Sequence, residues 1–299
     1  MNTTPLVSLL MTAYNREKYI AEAIESVLAS VYQNWELIIV DDCSKDKTLE
    51  IAKLYESKDN RISVYLNEKN LGDYPNRNHA ADYAKGKYIK YLDSDDLIYP
   101  HGLQVMIEAM EKFPEAEIGM CFNNYDEKQK LPLLFSAKES VAYHFFYKGL
   151  LYIGPSGTVY KRDYFFQIGK FNPLYKVAAD YEFNLRAAAQ SPTVLFHRDL
   201  FWWRQHEEQE ISNSNKNNEY IIFNYHIHKT LERYKLDNSL TRKILKNNDI
   251  LMGRRLLNLF LKGKLKTVFQ IIGKTNFPMI YFIRCLLPTE KYKNAEMLK

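Results

Sequence analysis

An α/β fold, with a mostly parallel sheet flanked by helices and a helical extension at the carboxyl end, is what this 299-residue sequence predicts. Three observations carry the prediction. Short apolar runs at 6–11, 36–40 and 62–66 have the make-up of buried strands. Amphipathic stretches of helical period separate them. The first two runs, and a fourth at 88–92, break off into polar or acidic residues at their carboxyl ends, which is where open α/β sheets bind ligands.

The first run stops at Thr12, Ala13, Tyr14 and Asn15, and Asn15 is placed to cap the first helix. Across 16–30, Ile20, Ile24, Val27 and Leu28 recur at helical spacing, with Arg16, Glu17, Lys18, Glu22 and Glu25 on other faces. The second run ends in Asp41, Asp42, Cys43 and Ser44, and a second helix carries Leu49, Ile51, Ala52, Leu54 and Tyr55. This alternation predicts right-handed crossovers between parallel strands, with all the strand carboxyl ends along one edge. Residues 70–78 turn into a third helix that ends near Gly86, and the fourth strand then delivers Asp93, Asp95 and Asp96. Three carboxylates within four residues repel one another unless a cation or a polyol is their partner.

Farther along, Leu103, Met106, Ile107 and Met110 mark a helix face, and 118–122 reads as a strand. Residues 127–152 read as irregular, 154–162 as turn and strand, and Asp180 stands at the start of a helix, where an acid serves as a cap or as a reactive group. Strand-like segments end at Trp202, Trp203, Arg204, Gln205 and His206, and 207–218 has the composition of a mobile loop. From Glu219 the pattern is helical. The division is therefore a domain at 1–215 and a basic helical extension at 216–299.

The composition narrows the function classes. With 46% hydrophobic residues the chain buries a full core. The three cysteines are widely spaced and form no C-x-x-C, which argues for a reducing compartment and against structural zinc. No leader-like start and no run of roughly eighteen apolar residues is present, so the expectation is a cytoplasmic protein. Of the net charge of +5, the tail carries the excess: residues 251–299 hold ten Lys or Arg against two Asp or Glu. Within 262–293 those cations interleave with Phe, Ile, Met and Leu. Such a segment lies on an anionic membrane surface, peripheral at its inner face, or packs onto the main domain with lysines outward; the second is favoured. No nucleic-acid motif is present.

Phosphate chemistry is then constrained. Neither G-x-x-x-x-G-K-[ST] nor G-x-G-x-x-G occurs, which speaks against a P-loop or an ordinary dinucleotide fold. A bound diphosphate would instead need Mn²⁺ or Mg²⁺, held by Asp95 with or without Asp93 and completed by substrate oxygens. Arg77 is placed either to clamp a phosphate or to pair with a nearby acid.

Taken as an ordered set, residues 7–15, Val40-Asp41-Asp42-Cys43-Ser44, residues 67–78 and Leu92-Asp93-Ser94-Asp95-Asp96 resemble family 2 inverting nucleotide-sugar glycosyltransferases of the GT-A fold. The likeness continues through Gly169-Lys170-Phe171-Asn172, Ala179-Asp180-Tyr181-Glu182 and Arg204-Gln205-His206, and stops near residue 212. It implies a Rossmann-like mixed sheet, a nucleotide-sugar donor and a saccharide or lipid-linked saccharide acceptor, as in bacterial surface polysaccharide synthesis. It also implies that Thr12, Ala13 and Tyr14 border the base, that Asp42 accepts a hydrogen bond from it, and that Asp93 holds ribose; uracil, whose N–H suits Asp42, is the expected base, with guanine the alternative. Asp95 corresponds to the metal-binding acid of a D-x-D motif and Asp180 to the general base. Arg204 and His206 stand where diphosphate or metal is contacted, and Arg77 is a further nucleotide contact. Cys43 stands where the family usually has glycine, and Ala179 where it often has Glu. The competing reading is a non-catalytic module that binds sugar nucleotides.

Overall fold

The computed structural model describes residues 4–122, 130–206 and 218–278, together with Tyr281, Arg284, Cys285 and Leu287. The alternation read from the sequence is realised as β1 (Val7–Ala13), α1 (Ile20–Leu28), β2 (Trp35–Asp41), α2 (Thr48–Glu56), β3 (Ile62–Leu66), α3 (Asp73–Asp82) and β4 (Tyr88–Tyr91). The chain continues through β5 (Leu97–Ile98), α4 (Gly102–Lys112), β6 (Ile118–Phe122), β7 (Leu133–Phe135), α5 (Ala137–Phe146), β8 (Thr158–Lys161), α6 (Arg162–Gln167), α7 (Ala179–Ala188), β9 (Thr193–His197) and β10 (Phe201–Trp202). Eight strands form one sheet in the order β3-β2-β1-β4-β8-β6-β9-β7, and β10 pairs with β5 in a small second sheet. β1 to β4 run parallel, β8 lies antiparallel between β4 and β6, and β7 is antiparallel to β9.

Strand order reverses at β1, which has β2 on one side and β4 on the other, so the crevice of an open α/β sheet falls at the carboxyl ends of these three strands. Register places those ends side by side: Ala13 is opposite Asp41, and Leu10 is opposite Tyr91. The alternation of strand side chains splits the core into two layers. Leu9, Met11, Leu37 and Ile39 pack into one, and Leu10, Ile38, Val40 and Tyr91 into the other.

Two expectations are corrected. Asn15 does not cap α1; it sits at φ +53°, and its side-chain oxygen accepts from the Lys45 N–H at 2.8 Å, tying the β1 loop to the β2 loop. The stretch 127–152 is not irregular where it is described, since β7 and α5 occupy it. Ser136 and Glu139 start α5 with a reciprocal capping box, an S-x-x-E signal that is present in the sequence. The loop expected at 207–218 lies outside the described residues apart from Asn218.

Gly86 shows why the entry to β4 is fixed. A Cβ there would sit 2.6 Å from the Ser8 backbone nitrogen and 2.7 Å from the Leu6 carbonyl oxygen, so β1 and the turn before β4 touch backbone to backbone. Gly86→Ala is expected to destabilise the protein by about 1–3 kcal/mol, the range for overpacking. The check is a urea melt with an unchanged m-value.

The extension is helical as expected, with helices Glu219–Lys229, Asn238–Leu261 and Leu265–Thr275. Ile227, Leu231, Leu240 and Ile244 join it to the main core. Ile222, Tyr225, Met252, Leu256, Val268, Ile271 and Phe277 make a smaller core of its own. At the turn between the last two helices, Phe260, Leu261, Leu265 and Phe269 remain exposed among Lys262, Lys264 and Lys266. None of the described helices is long and apolar enough to cross a membrane.

Candidate active site

Asp42 leaves β2 and turns inward, with only 3% of its surface exposed. One carboxylate oxygen accepts from the Asn67 amide (2.7 Å) and the Leu71 N–H (2.8 Å), and the other from the Gly72 N–H (2.9 Å). A carboxylate has about four acceptor sites, so one on Oδ2 is left. Gly72, at φ +87°, allows the backbone to wrap around this acid and enter α3 at Asp73. Thr12 and Ala13 lie beside it: the Ala13 carbonyl accepts from the Asp42 N–H, and the Thr12 carbonyl from the Ser94 hydroxyl. The Tyr14 ring is exposed.

Of the two uses open to Arg77, the structure shows pairing with acids. From α3 its Nε meets Asp73 at 2.7 Å, and a terminal nitrogen meets Asp93 at 2.7 Å. The guanidinium thereby fixes Asp93 relative to α3. Asp96, 1% exposed, accepts from the Arg204 N–H at 3.1 Å. Burial first, and then the Asp93 charge, hold its carboxyl well above the usual carboxylate range. Asp95 faces the other way, and its Oδ2 lies 3.0 Å from both Arg16 Nε and His206 Nε2. Arg204 donates to the Asp95 carbonyl at 2.9 Å and pairs with Glu22 at 2.5 Å. The β10–β5 pairing is what brings 204–206 to this edge.

Asp180 occupies the first turn of α7 and is half-buried. Its Oδ1 accepts from the Tyr181 N–H at 2.6 Å, and the nearby Tyr74 hydroxyl favours the ionised carboxylate slightly. Burial is the main cause that pushes it up to about 7, against the pull of the Tyr181 N–H and the Arg77 charge. Asp180, Tyr74, Asp73, Arg77 and Asp93 therefore form one electrostatic group. Asp95, Arg16, His206 and Arg204 form a second, two residues farther along the β4 loop.

Sequence reasoning passes over several participants. Asp73 stands four residues before Arg77, the i,i+4 spacing of a helical ion pair, and that signal is available in the chain. Arg16 reads as part of a solvated helix face, yet it pairs with Asp95. Lys90, in the middle of an apolar strand, is fully buried and donates to the Tyr91 carbonyl (2.6 Å) and the Ser156 carbonyl. Burial pulls its pKa down to about 8, while Cys121, Asp93 and Asp96 favour its charge. A lysine at a core position of a strand is the signal that could have found it.

Asp95 and His206 are chemically suited to a divalent ion, being a carboxylate and an imidazole that converge to 3.0 Å. Among the described residues no group of three or more acidic, histidine or cysteine side chains is gathered as a metal cage. An ion here would therefore take its remaining ligands from substrate oxygens, a pattern common for Mg²⁺.

Comparison with known proteins agrees with this architecture. The E. coli protein WfgD, a UDP-Glc:α-D-GlcNAc-diphosphoundecaprenol β-1,3-glucosyltransferase, is 40% identical over 121 residues, 40% of this chain and 46% of that protein. The uncharacterized glycosyltransferase MJ1057 of Methanocaldococcus jannaschii is 35% identical over 193 residues, 62% of this chain and 65% of the relative. The match thus spans about half to two thirds of the length of these curated relatives. Among solved structures, S. aureus TarS in complex with UDP-GlcNAc superposes with a TM-score of 0.65 at 21% identity, over 81% of this chain and 71% of that one. The mannosyltransferase PcManGT of Pyrobaculum calidifontis, in complex with GDP-Man and Mn²⁺, gives 0.61 at 13% identity over 95% and 86%. The fold is GT-A. The sequence model of glycosyl transferase family 2 matches residues 8–169, more than half of the chain, and the protein belongs to that family.

Proposed function

We propose that the chain transfers a hexosyl or N-acetylhexosaminyl group from a UDP-sugar to a hydroxyl of a saccharide or lipid-linked saccharide, inverting the anomeric carbon. The observation that carries this reading is Asp180, a carboxyl tuned to about 7 beside the Arg77–Asp93 pair. A general base works best with its pKa near the working pH. Asp180 takes the proton of the acceptor hydroxyl, and the oxygen bonds to the anomeric carbon opposite the diphosphate. The bond from that carbon to the diphosphate oxygen breaks, and its electron pair leaves with the phosphate. One in-line displacement inverts the configuration.

The remaining acceptor site of Asp42 receives the uracil N–H, Thr12, Ala13 and Tyr14 border the base, and Asp93, held by Arg77, receives a ribose hydroxyl. Arg16 and Arg204 lie beside Asp95, where negative charge collects on the departing diphosphate. Asp95 and His206 would hold Mn²⁺ or Mg²⁺, which when bound supplies Lewis-acid neutralisation of that leaving group. WfgD, named for a UDP-Glc donor and a diphosphoundecaprenol-linked acceptor, supports the donor and acceptor classes. The exposed Phe260, Leu261, Leu265 and Phe269 among three lysines suit a peripheral contact with an anionic lipid surface.

A thermal-shift and product-release panel of UDP-, GDP- and dTDP-sugars, with Mn²⁺ and with EDTA, tests the reading. UDP-sugars are expected to raise Tm only with the ion and to release UDP slowly, and Asp95→Ala is expected to lose the ion-dependent shift. Binding without any release of nucleoside diphosphate, even with acceptor saccharides supplied, would leave a binding module in place of an enzyme.

A further inference from the structure

Between helices Glu219–Lys229 and Asn238–Leu261 lies a cavity of about 390 Å³, large enough for a sugar residue with a substituent. Among the described residues its wall includes no acid. Among the described residues of the wall the one ionised side chain is Arg255, which makes no ion pair or hydrogen bond with any of them; partial burial acts on its pKa, and lowers it. Two further polar atoms are unmatched among the described residues, Asn224 Oδ1 and Asn248 Nδ2, both buried and on residues of the same wall. The other half of Asn248 is taken: its oxygen lies 2.8 Å from His228 Nδ1, whose Nε2 lies 2.7 Å from the Tyr181 hydroxyl. Burial keeps His228 well below the usual histidine range, at about 4, so the wall gains no second charge from it.

The cavity borders the proposed base. Tyr220, on its wall, feels the Asp180 charge, and the Tyr152 ring is 4.4 Å from the ring of Tyr181, the neighbour of Asp180. Arg77, Asp73 and Tyr74 approach Asp180 from the sheet edge, where the donor is placed.

We infer that this cavity is the acceptor subsite, that Arg255 and the free Nδ2 of Asn248 hold an anionic group carried by the acceptor saccharide, and that the free Oδ1 of Asn224 accepts from a sugar hydroxyl. The inference rests on the transferase reading for the word acceptor, but not for the binding itself. The chemistry shared by the occupants is a saccharide with a phosphate ester or a carboxylate; tyrosine and leucine walls take its ring, and the unpaired guanidinium takes its charge.

The test is calorimetric binding to the full chain, without donor, of glucose 1-phosphate, glucuronic acid and methyl glucoside. The two charged sugars are expected to bind at least tenfold tighter than methyl glucoside, and the tighter of the two identifies phosphate or carboxylate as the natural group. Arg255→Ala is expected to weaken the charged sugars about 10- to 100-fold, as for loss of a hydrogen-bonded charge pair, and to leave methyl glucoside unchanged. Arg255→Lys falls between. Leu251→Trp, at an exposed position on the cavity wall, is expected to weaken all three sugars by filling the space. Equal binding of charged sugars by wild type and Arg255→Ala, or no preference for charge in wild type, overturns the inference. Because no donor or turnover enters the measurement, a negative transferase assay does not affect the result.

Discussion

Asp180→Asn is expected to reduce turnover by about 10²–10⁴-fold while the affinity for the nucleotide sugar stays within a factor of about two. Asparagine keeps the size of the side chain and an oxygen to accept from the Tyr181 N–H, so what is removed is the capacity to take a proton. In the wild type, kcat/KM should rise with unit slope up to about pH 7 and then level off, because the carboxyl must be ionised to act. In the variant the residual rate should lose that limb. Transfer within fivefold of wild type would remove Asp180 from the mechanism.

The same substitution is expected to stabilise the fold at pH 8. The folded pKa of Asp180 is raised above the ordinary 3.8, so between about pH 4 and pH 7 the native state holds the proton more tightly than the unfolded chain does. Stability from this group therefore falls as pH rises through that window. Asparagine cannot ionise and escapes the loss, which after allowance for partial solvent access is about 2 kcal/mol, or several degrees in Tm. Near pH 4 the two proteins should melt together. An acid that destabilises the fold and also drives the chemistry is the trade-off expected at an active site.

Topology is the part most readable from sequence, because apolar runs of strand length alternating with amphipathic segments leave few ways to connect a sheet. That inference alone brings the ends of β1, β2 and β4 together. What it lacks is side-chain direction. Asp42 and Asp95 both come after strands and both read as free acids, yet one is wrapped by the Leu71 and Gly72 amides and the other faces Arg16 and His206. Local spacing cannot distinguish them, because the partners come from loops 29 to 111 residues away. The antiparallel insertion of β8 between β4 and β6 is likewise not in the local pattern, since a four-residue strand reads the same in either direction. Arg255 is one cation among ten in the tail until the cavity beside it and the lack of an acid partner among the described residues set it apart.

Arg77→Met is expected to be the most destabilising single change at the site, costing about 3–5 kcal/mol. Arg77 is 7% exposed and its guanidinium lies between Asp73 and Asp93, and methionine fills the volume but leaves two carboxylates facing each other without a cation. Arg77→Lys should recover little, because one ammonium on a flexible stem does not reproduce the fork that reaches Asp73 through Nε and Asp93 through a terminal nitrogen. The loss has a defined pH dependence. Burial already holds the Asp73 carboxyl above its ordinary value against the pull of Arg77, and with the cation gone it rises further, so the variant should be closest to wild type at low pH and fall away as pH rises. Asp73→Asn added to Arg77→Met removes one of the two facing charges and should return a substantial part of the lost stability, measurable as a coupling energy in the double-mutant cycle. Additive effects of the two substitutions in urea melts would mean that the three side chains do not act as one unit, and Asp93 would then owe its position to the β4 loop alone.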